Sequence, residues 1–329
     1  MKPELKKIED QVIVITGATS GIGLATAAKA AAKGARVVLL GTQRDAVNQV
    51  QEQVNGASLG IEADVTDLAS LRRAAAIVEE RFGGFDTWVN NAGVSVYGRI
   101  EDVPLDEARR LFDVDYWGVV HGSLVATEHL RRRGGALINV GSVLSDVGFP
   151  LQGHYAAAKH AVKGFTDSLR MELERQDAPV SVTLVKPASI DTPYPQHAGN
   201  HMDAEPTLPP PVYAPEVVAR AILHCAEHPT RDLLVGGAGR VMTALGNNFP
   251  RLADRYFESA MADQQKADGA PASPGTTLYG DVPHAGERRG RVDGHVMKSS
   301  LYTEAVTHPG TTLALLGAAT LGVMAAMRS

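Results

Sequence analysis

The sequence predicts an α/β fold: a doubly wound parallel sheet in three layers, α/β/α, followed by a C-terminal extension. Three observations carry this expectation. Short apolar runs alternate with helical patterns through most of the chain. Most of these runs lack strict alternation of apolar and polar residues, as strands buried on both faces do. A glycine-rich turn, "VITGATSGIGLA", joins the first run to the first helical pattern. Strand–helix alternation of this length implies βαβ units with right-handed crossovers.

In chain order, the apolar runs place strands at 12–16 (VIVIT), 36–40, 59–63, 86–90, 136–141, 181–186 and 232–236. Helical patterns fall at 23–33, 68–81, 105–130, 152–176 and 215–227. Gly34 closes the first helix as a C-cap. Asp67 opens the next as an N-cap. The regular pattern fades near 246. Residues 268–300, rich in Gly, Pro, Ser and mixed charge, read as a mobile linker. This divides the chain into a catalytic domain at 1–245, a helical extension and flexible linker at 246–300, and an apolar tail at 301–329.

The bulk numbers narrow the function. The chain has 329 residues, 44% of them hydrophobic, enough for one large domain with an appendage. Its net charge of −5 gives no basic stripe for nucleic acid. A single cysteine, Cys225, allows no intrachain disulfide and no cysteine-rich metal site. Glu4, Glu9 and Asp10 interrupt the N-terminus where a secretory signal needs an apolar core. A cytoplasmic location is therefore expected.

The glycine turn places Gly17, Gly21 and Gly23 between strand and helix. Glycines allow a tight turn and close approach of backbone to a ligand. The unpaired N–H groups and partial positive charge of a helix N-terminus suit a pyrophosphate. The spacing, G-x-x-x-G-x-G, differs from the G-x-G-x-x-G of the standard dinucleotide fingerprint. Further on, "HYAAAKHAVKGF" sets Tyr155 and Lys159 four residues apart, on one helix face. A neighbouring ammonium favours the phenolate, so Tyr155 would exchange protons more readily near neutral pH. Ser142 ends the strand "ALINVGS", 13 positions earlier. A Tyr–Lys pair alone is ordinary on an amphipathic helix; its weight here comes from company in the right chain order.

Taken together, Thr16-Gly17-x-x-x-Gly21-x-Gly23, Asp64, Asn90-Asn91-Ala92-Gly93, Ser142, Tyr155-x-x-x-Lys159, Pro187 and Thr192 resemble the classical short-chain dehydrogenase/reductase family, over about residues 8–240. The resemblance implies a Rossmann-type domain that exchanges hydride between a nicotinamide cofactor and a carbonyl or alcohol carbon. Tyr155 would then donate or accept the proton, Lys159 would lower the tyrosine pKa and hold the nicotinamide ribose, and Ser142 would orient the substrate oxygen. Cofactor contacts are implied at Gly17, Thr19, Ser20, Gly21, Ile22, Gly23, Thr42 and Arg44, then at Asp64, Val65, Asn91, Ala92 and Gly93. They continue at Tyr155, Lys159, Pro187, Ile190 and Thr192. The resemblance also implies that the NNAG stretch lies beside the cofactor and stabilises the sheet, that no metal is needed, and that the chain forms a homo-oligomer.

Two positions depart from the family pattern. Asp115 stands where the family usually has a fourth catalytic residue, Asn. Its carboxylate can accept that amide's hydrogen bond but cannot donate one. Ala188 replaces a usual glycine. For the cofactor, the acid that NAD-specific folds place after the second strand is missing. Gly41 and Thr42 stand there, and the guanidinium of Arg44 suits a 2′-phosphate. NADP(H) is therefore expected over NAD(H).

The substrate, a small carbonyl compound or alcohol, is not identified by the sequence. The Pro-rich segment after Thr192 is its expected loop. Three readings stand for the uncharged stretch 309–327: a membrane anchor, a helix packed on the core or on a partner subunit, or a disordered tail. Two rivals to enzymatic function stay open. One is a non-catalytic nucleotide-binding regulatory module, favoured only by Asp115. The other is a membrane-tethered scaffold.

Overall fold

A computed structural model describes residues 3–268, 278–279, 285–290, 292, 294–310 and 312. The central sheet has seven parallel strands: β1 (Val12–Thr16), β2 (Arg36–Gly41), β3 (Ser58–Glu62), β4 (Thr87–Asn90), β6 (Gly135–Val140), β7 (Val180–Pro187) and β10 (Asp232–Val235). Their order is β3-β2-β1-β4-β6-β7-β10, read from one edge. Two-residue strands β5 (Val96–Tyr97) and β8 (Gly199–Asn200) pair with each other, as do β9 (Val212–Tyr213) and β11 (Val296–Met297).

Apolar residues of α1 (Gly21–Ala32), α2 (Arg44–Gln53) and α8 (Pro215–Glu227) cover one face of the sheet. Those of α3 (Leu68–Phe82), α5 (Gly118–Arg133) and α6 (Gly153–Arg175) cover the other. This is the expected three-layer α/β/α fold. Strands β1, β4 and β7 are buried along their whole length, which is why their sequences run apolar without alternation. Gly34 follows α1 at φ +94°, a conformation that favours glycine, and the Asp67 carboxylate accepts the Ala69 N–H at 2.9 Å. Cys225 on α8 is fully buried, and burial pushes its thiol up to about 12.

The predicted helix 105–130 is one continuous rod with a fault in it. α4 (Leu105–Phe112) passes through a π-helical turn at Asp113–Trp117 into α5. Such bulges cluster at functional sites, and this one carries Asp115. Helix α2, not expected from the pattern, buries only Ala46, Val47 and Val50.

Two double-wound halves meet between β1 and β4, because β1 pairs with both β2 and β4. A crevice opens there, outside the carboxyl ends of the strands. The glycine loop follows β1 and the NNAG stretch follows β4. Asn90 is a core residue. Its Oδ1 accepts from Trp88 Nε1 at 2.8 Å, and its Nδ2 donates to Asn139 Oδ1 at 2.9 Å and Ser123 Oγ at 3.1 Å. Asn139 Nδ2 in turn donates to Thr166 Oγ1 on α6 at 2.9 Å.

The C-terminal third departs from expectation. α9 (Gly237–Asn248) crosses position 245, so the boundary expected there falls inside a helix, and α10 (Pro250–Tyr256) follows it. The short helices α7 (Tyr194–His197) and α11 (Leu301–Thr307) complete the set. The linker reading of 268–300 is corrected for its described stretches beyond 277. Leu278 is buried and its carbonyl accepts from Arg110 Nε at 2.7 Å. Residues 285–290 hydrogen-bond to the core, and β11 extends β9. Backbone groups make most of these contacts, so a glycine- and charge-rich composition did not announce them. Among the described residues, no helix is long and apolar enough to cross a membrane. The tail readings for 309–327 fall almost wholly outside the described residues.

Candidate active site

The glycine loop is held by the second amide of the NNAG stretch. Asn91 Nδ2 donates to Thr16 O at 3.0 Å and to Gly17 O at 3.1 Å. Thr16 Oγ1 accepts the N–H groups of Asn91 and Ala92 at 2.9 and 3.0 Å. Loop and strand end therefore form one rigid unit. Gly17, at φ +61°, has room for no side chain, because a Cβ would lie 2.7 Å from Ala92 Cα. At Gly23 a Cβ would meet Gly17 O at 2.2 Å. The loop's compactness depends on both.

Two connected cavities follow the crevice. The first lies along Gly17, Thr19, Ser20 and Gly21, then Thr42, Asp64, Val65 and Ala92. The second contains Ser142, Tyr155, Lys159 and Asp115, with Pro187 and Ile190 on its wall. Ile22, Asn91, Gly93 and Thr192 line both. The crevice thus gathers eighteen of the twenty residues expected from sequence. Gly23 lies behind the loop as a packing residue. Arg44 is the other exception: its Nε pairs with Glu62 at 3.1 Å, and it does not line the cavity.

The charged groups of the second cavity are buried. Asp115 is 0% exposed and Lys159 4%. Lys159 Nζ lies 2.9 Å from Asp115 Oδ2, while Asp115 Oδ1 accepts the Val94 N–H at 2.7 Å. The ammonium stands 5.4 Å from the centre of the Tyr155 ring. Burial raises the Tyr155 phenol above its ordinary range; Lys159 opposes this, and Asp115 adds to it. The resemblance implied a lowered tyrosine pKa. Lys159 pulls in that direction, but burial outweighs it. Burial pulls Lys159 down, but Asp115 and Tyr155 overcome that and hold the ammonium above its usual range. Burial pushes the Asp115 carboxyl up against the pull of Lys159.

Ser142 begins a 3₁₀ turn at Val143–Ser145. Its Oγ accepts the Leu144 N–H at 3.1 Å, and Ser145 Oγ accepts the Ser142 N–H at 3.1 Å. The hydroxyl is thus fixed by an accepted bond, and its proton is free to be donated into the cavity.

Sequence reasoning missed several cavity residues. Tyr194 packs edge-on against Tyr155, with ring centroids 5.7 Å apart. Tyr97 and Gln152 also line the catalytic cavity. Arg110 and Tyr279 line the first cavity, with Arg110 NH2 at 4.0 Å from Asp64 Oδ2. Arg110 sits in "EARRLF", where two adjacent arginines on an amphipathic helix look merely solvated.

The residues present fit a dinucleotide. A glycine loop rigid enough to bring a helix N-terminus to the cavity meets a second cavity holding a phenol, an ammonium and a hydroxyl. Comparison with known proteins agrees. The family model described as short chain dehydrogenase matches residues 11–203. An uncharacterized oxidoreductase, YxnA of Bacillus subtilis, is 44% identical over 323 residues, covering 96% of this chain and 90% of its own. An NADP-dependent (R)-specific alcohol dehydrogenase of Lentilactobacillus kefiri is 33% identical over 191 residues, 57% of this chain and 76% of that protein. A crystal structure of a short chain dehydrogenase/reductase from Burkholderia phymatum, in complex with NAD, superposes with a TM-score of 0.67 at 23% identity. It covers 82% of this chain and 100% of that one.

The chain belongs to the short-chain dehydrogenase family. It is an NAD(P)-dependent oxidoreductase acting on CH–OH and C=O groups.

Proposed function

We propose that the chain transfers hydride between NADP(H) and a carbonyl/alcohol pair, with Tyr155 as the proton-transferring group. The observation that carries this is the buried array of Tyr155, Lys159, Asp115 and Ser142, which opens into the same crevice as the glycine loop. When bound, the nicotinamide supplies or takes the hydride. Tyr155 gives its phenol proton to the carbonyl oxygen in reduction, or takes the hydroxyl proton in oxidation. Ser142 donates to the same oxygen and fixes its position. Lys159 stays charged because Asp115 is beside it, and it stabilises the phenolate left after proton donation.

Asp115 accepts the Val94 N–H and thereby ties the NNAG loop to the catalytic lysine. An Asn at this position would bring no charge, so this chain sets its proton-transfer array with one extra anion. The proposal of NADP(H) rests on the uncharged Gly41 and Thr42 after β2. It also rests on Arg44, whose exposed ion pair with Glu62 contributes only about 0–1 kcal/mol and yields readily to a phosphate. The NADP-dependent relative from Lentilactobacillus kefiri supports this choice.

A panel of ketones and aldehydes, followed by nicotinamide absorbance with each reduced cofactor, tests the reading. Turnover of at least one substrate class, faster with NADPH, is expected. A protein that binds either cofactor yet turns over nothing in a broad panel would instead be a nucleotide-binding regulator.

A further inference from the structure

Beyond the part matched by the family model, residues 285–290 lie against the glycine loop. Gly286 N–H donates to Thr19 O and Gly21 N–H donates to Glu287 O, both at 2.9 Å. Gly21 is the first residue of α1, and its N–H is one of the donors a helix start leaves without an intrahelical partner. The extension satisfies it. At its other end the same stretch reaches the loop after β7. Gly290 N–H donates to Asp191 Oδ1 at 3.1 Å, and Arg289 NH1 lies 3.8 Å from Asp191 Oδ2. Arg289 NH2 also pairs with Glu216 at 3.2 Å.

Two features show that this seat is built. Asp191 is 4% exposed, and a buried carboxylate needs partners. Among the described residues, its carboxylate is met by the Arg289 guanidinium and the Gly290 N–H. Gly290 lies so close to the core that a Cβ there would stand 2.3 Å from Thr192 O. Thr19, Gly21 and Thr192 are also walls of the cavities described above.

We propose that residues 285–290 are part of the cofactor site: a strap that clamps the glycine loop to the Thr192 loop and sets how tightly and how long the dinucleotide is held. This rests on the dinucleotide reading of the crevice. The strap makes its contacts through Thr19 O and Gly21 N–H. The next donor of the helix start, the N–H of Ile22 on the wall of both cavities, has no protein acceptor among the described residues and is left for a pyrophosphate. With both loops fixed before binding, less ordering remains to be done when the ligand arrives. Arg289 and Gly290 are thus positioning residues that act through Asp191 and Thr192.

The test uses full-length Arg289→Ala and Gly290→Ala, with Arg289→Lys as the conservative variant. NADPH and NADH binding is measured by fluorescence titration and stopped flow. Amide hydrogen exchange is followed in peptides spanning 17–24 and in peptides from β4 and β6. Each Ala variant is expected to raise the Kd and the dissociation rate about tenfold. Exchange should rise in 17–24 and stay at the parent level in the two strands, and Arg289→Lys should fall between parent and Arg289→Ala. Parent-like Kd, within twofold, in both Ala variants would overturn the strap. Tighter binding in them would overturn it too, since the segment would then obstruct the cofactor. A parent chain that binds neither nucleotide removes the dinucleotide reading itself, and the strap with it.

Discussion

The two ends of the crevice are built on opposite electrostatic terms. At the catalytic end Asp115 and Lys159 face each other at 2.9 Å with 0% and 5% of their side chains exposed. Outside the far end, off the cavity wall, Arg44 and Glu62 pair at 3.1 Å with 74% and 43% exposed. Similar separations have very different consequences. Water screens the exposed pair to a fraction of a kcal/mol, whereas a buried charge that loses its partner is left uncompensated. Under the proposed function, proton transfer at the buried end therefore depends on charges that tolerate little change. Under the proposed preference for NADP(H), the exposed pair contributes a small, screened increment to cofactor choice.

The buried end breaks most sharply at the phenol. Tyr155→Phe removes one oxygen and leaves the glycine loop untouched. Turnover is expected to fall by about a hundredfold to ten-thousandfold, the usual contribution of a positioned acid–base group. Cofactor affinity should stay near the parent value. Steady-state kinetics and a fluorescence titration check this; a Phe variant with parent-like turnover would remove Tyr155 from the reaction. Next comes the ion pair. Asp115→Ala leaves Lys159 buried without its anion, and unfolding stability should drop by about 3–5 kcal/mol in denaturant melts.

Asp115→Asn separates charge from shape. Asp115 holds both Tyr155 and Lys159 above where they would otherwise lie, so neutralising it lowers both. Alcohol oxidation needs Tyr155 as the phenolate, ready to accept a proton. Its pH–rate profile should therefore move to lower pH, with the optimum rate within about tenfold of the parent. An unmoved profile would mean that the carboxylate does not act on the proton-transfer array. The smallest effect belongs to the exposed pair. Arg44→Ala should narrow the NADPH preference by a few-fold, and added salt should narrow it further in the parent. A preference for NADH in the parent chain would contradict the assignment.

What was legible in the sequence follows the same division. Strands β1, β2, β4 and β7 announced themselves because residues buried on both faces leave uninterrupted apolar runs. The Tyr155–Lys159 spacing and the glycine loop were legible because covalent spacing fixes their geometry. The ion pair of Arg44 was not legible, because sequence shows a cation near Gly41 but not the Glu62 on the next strand that pairs with it. Arg110 was missed because a cavity-lining arginine and a solvated one look alike in "EARRLF". Leu278 and residues 285–290 look like linker in the sequence because main-chain N–H and C=O groups make most of their attachments, and those are present in every residue. The side chains that mark the seat, Asp191 and Arg289, become readable only once the burial of Asp191 is known.

One consequence remains in the chain of amides behind the site. Thr166 shares a helix face with Tyr155, Lys159 and Val162, three turns along α6 from the phenol. Its hydroxyl is gripped by Asn139, which is gripped by Asn90. A greasy helix face can roll on a greasy sheet at modest cost, but a hydrogen bond points in one direction. A slip of one residue would swing the helix by about 100° and carry the phenol out of the cavity. The buried amides therefore work as a key in a lock barrel. They index the angular setting of a 23-residue shaft from its middle, so that the two teeth at its front end always engage the crevice.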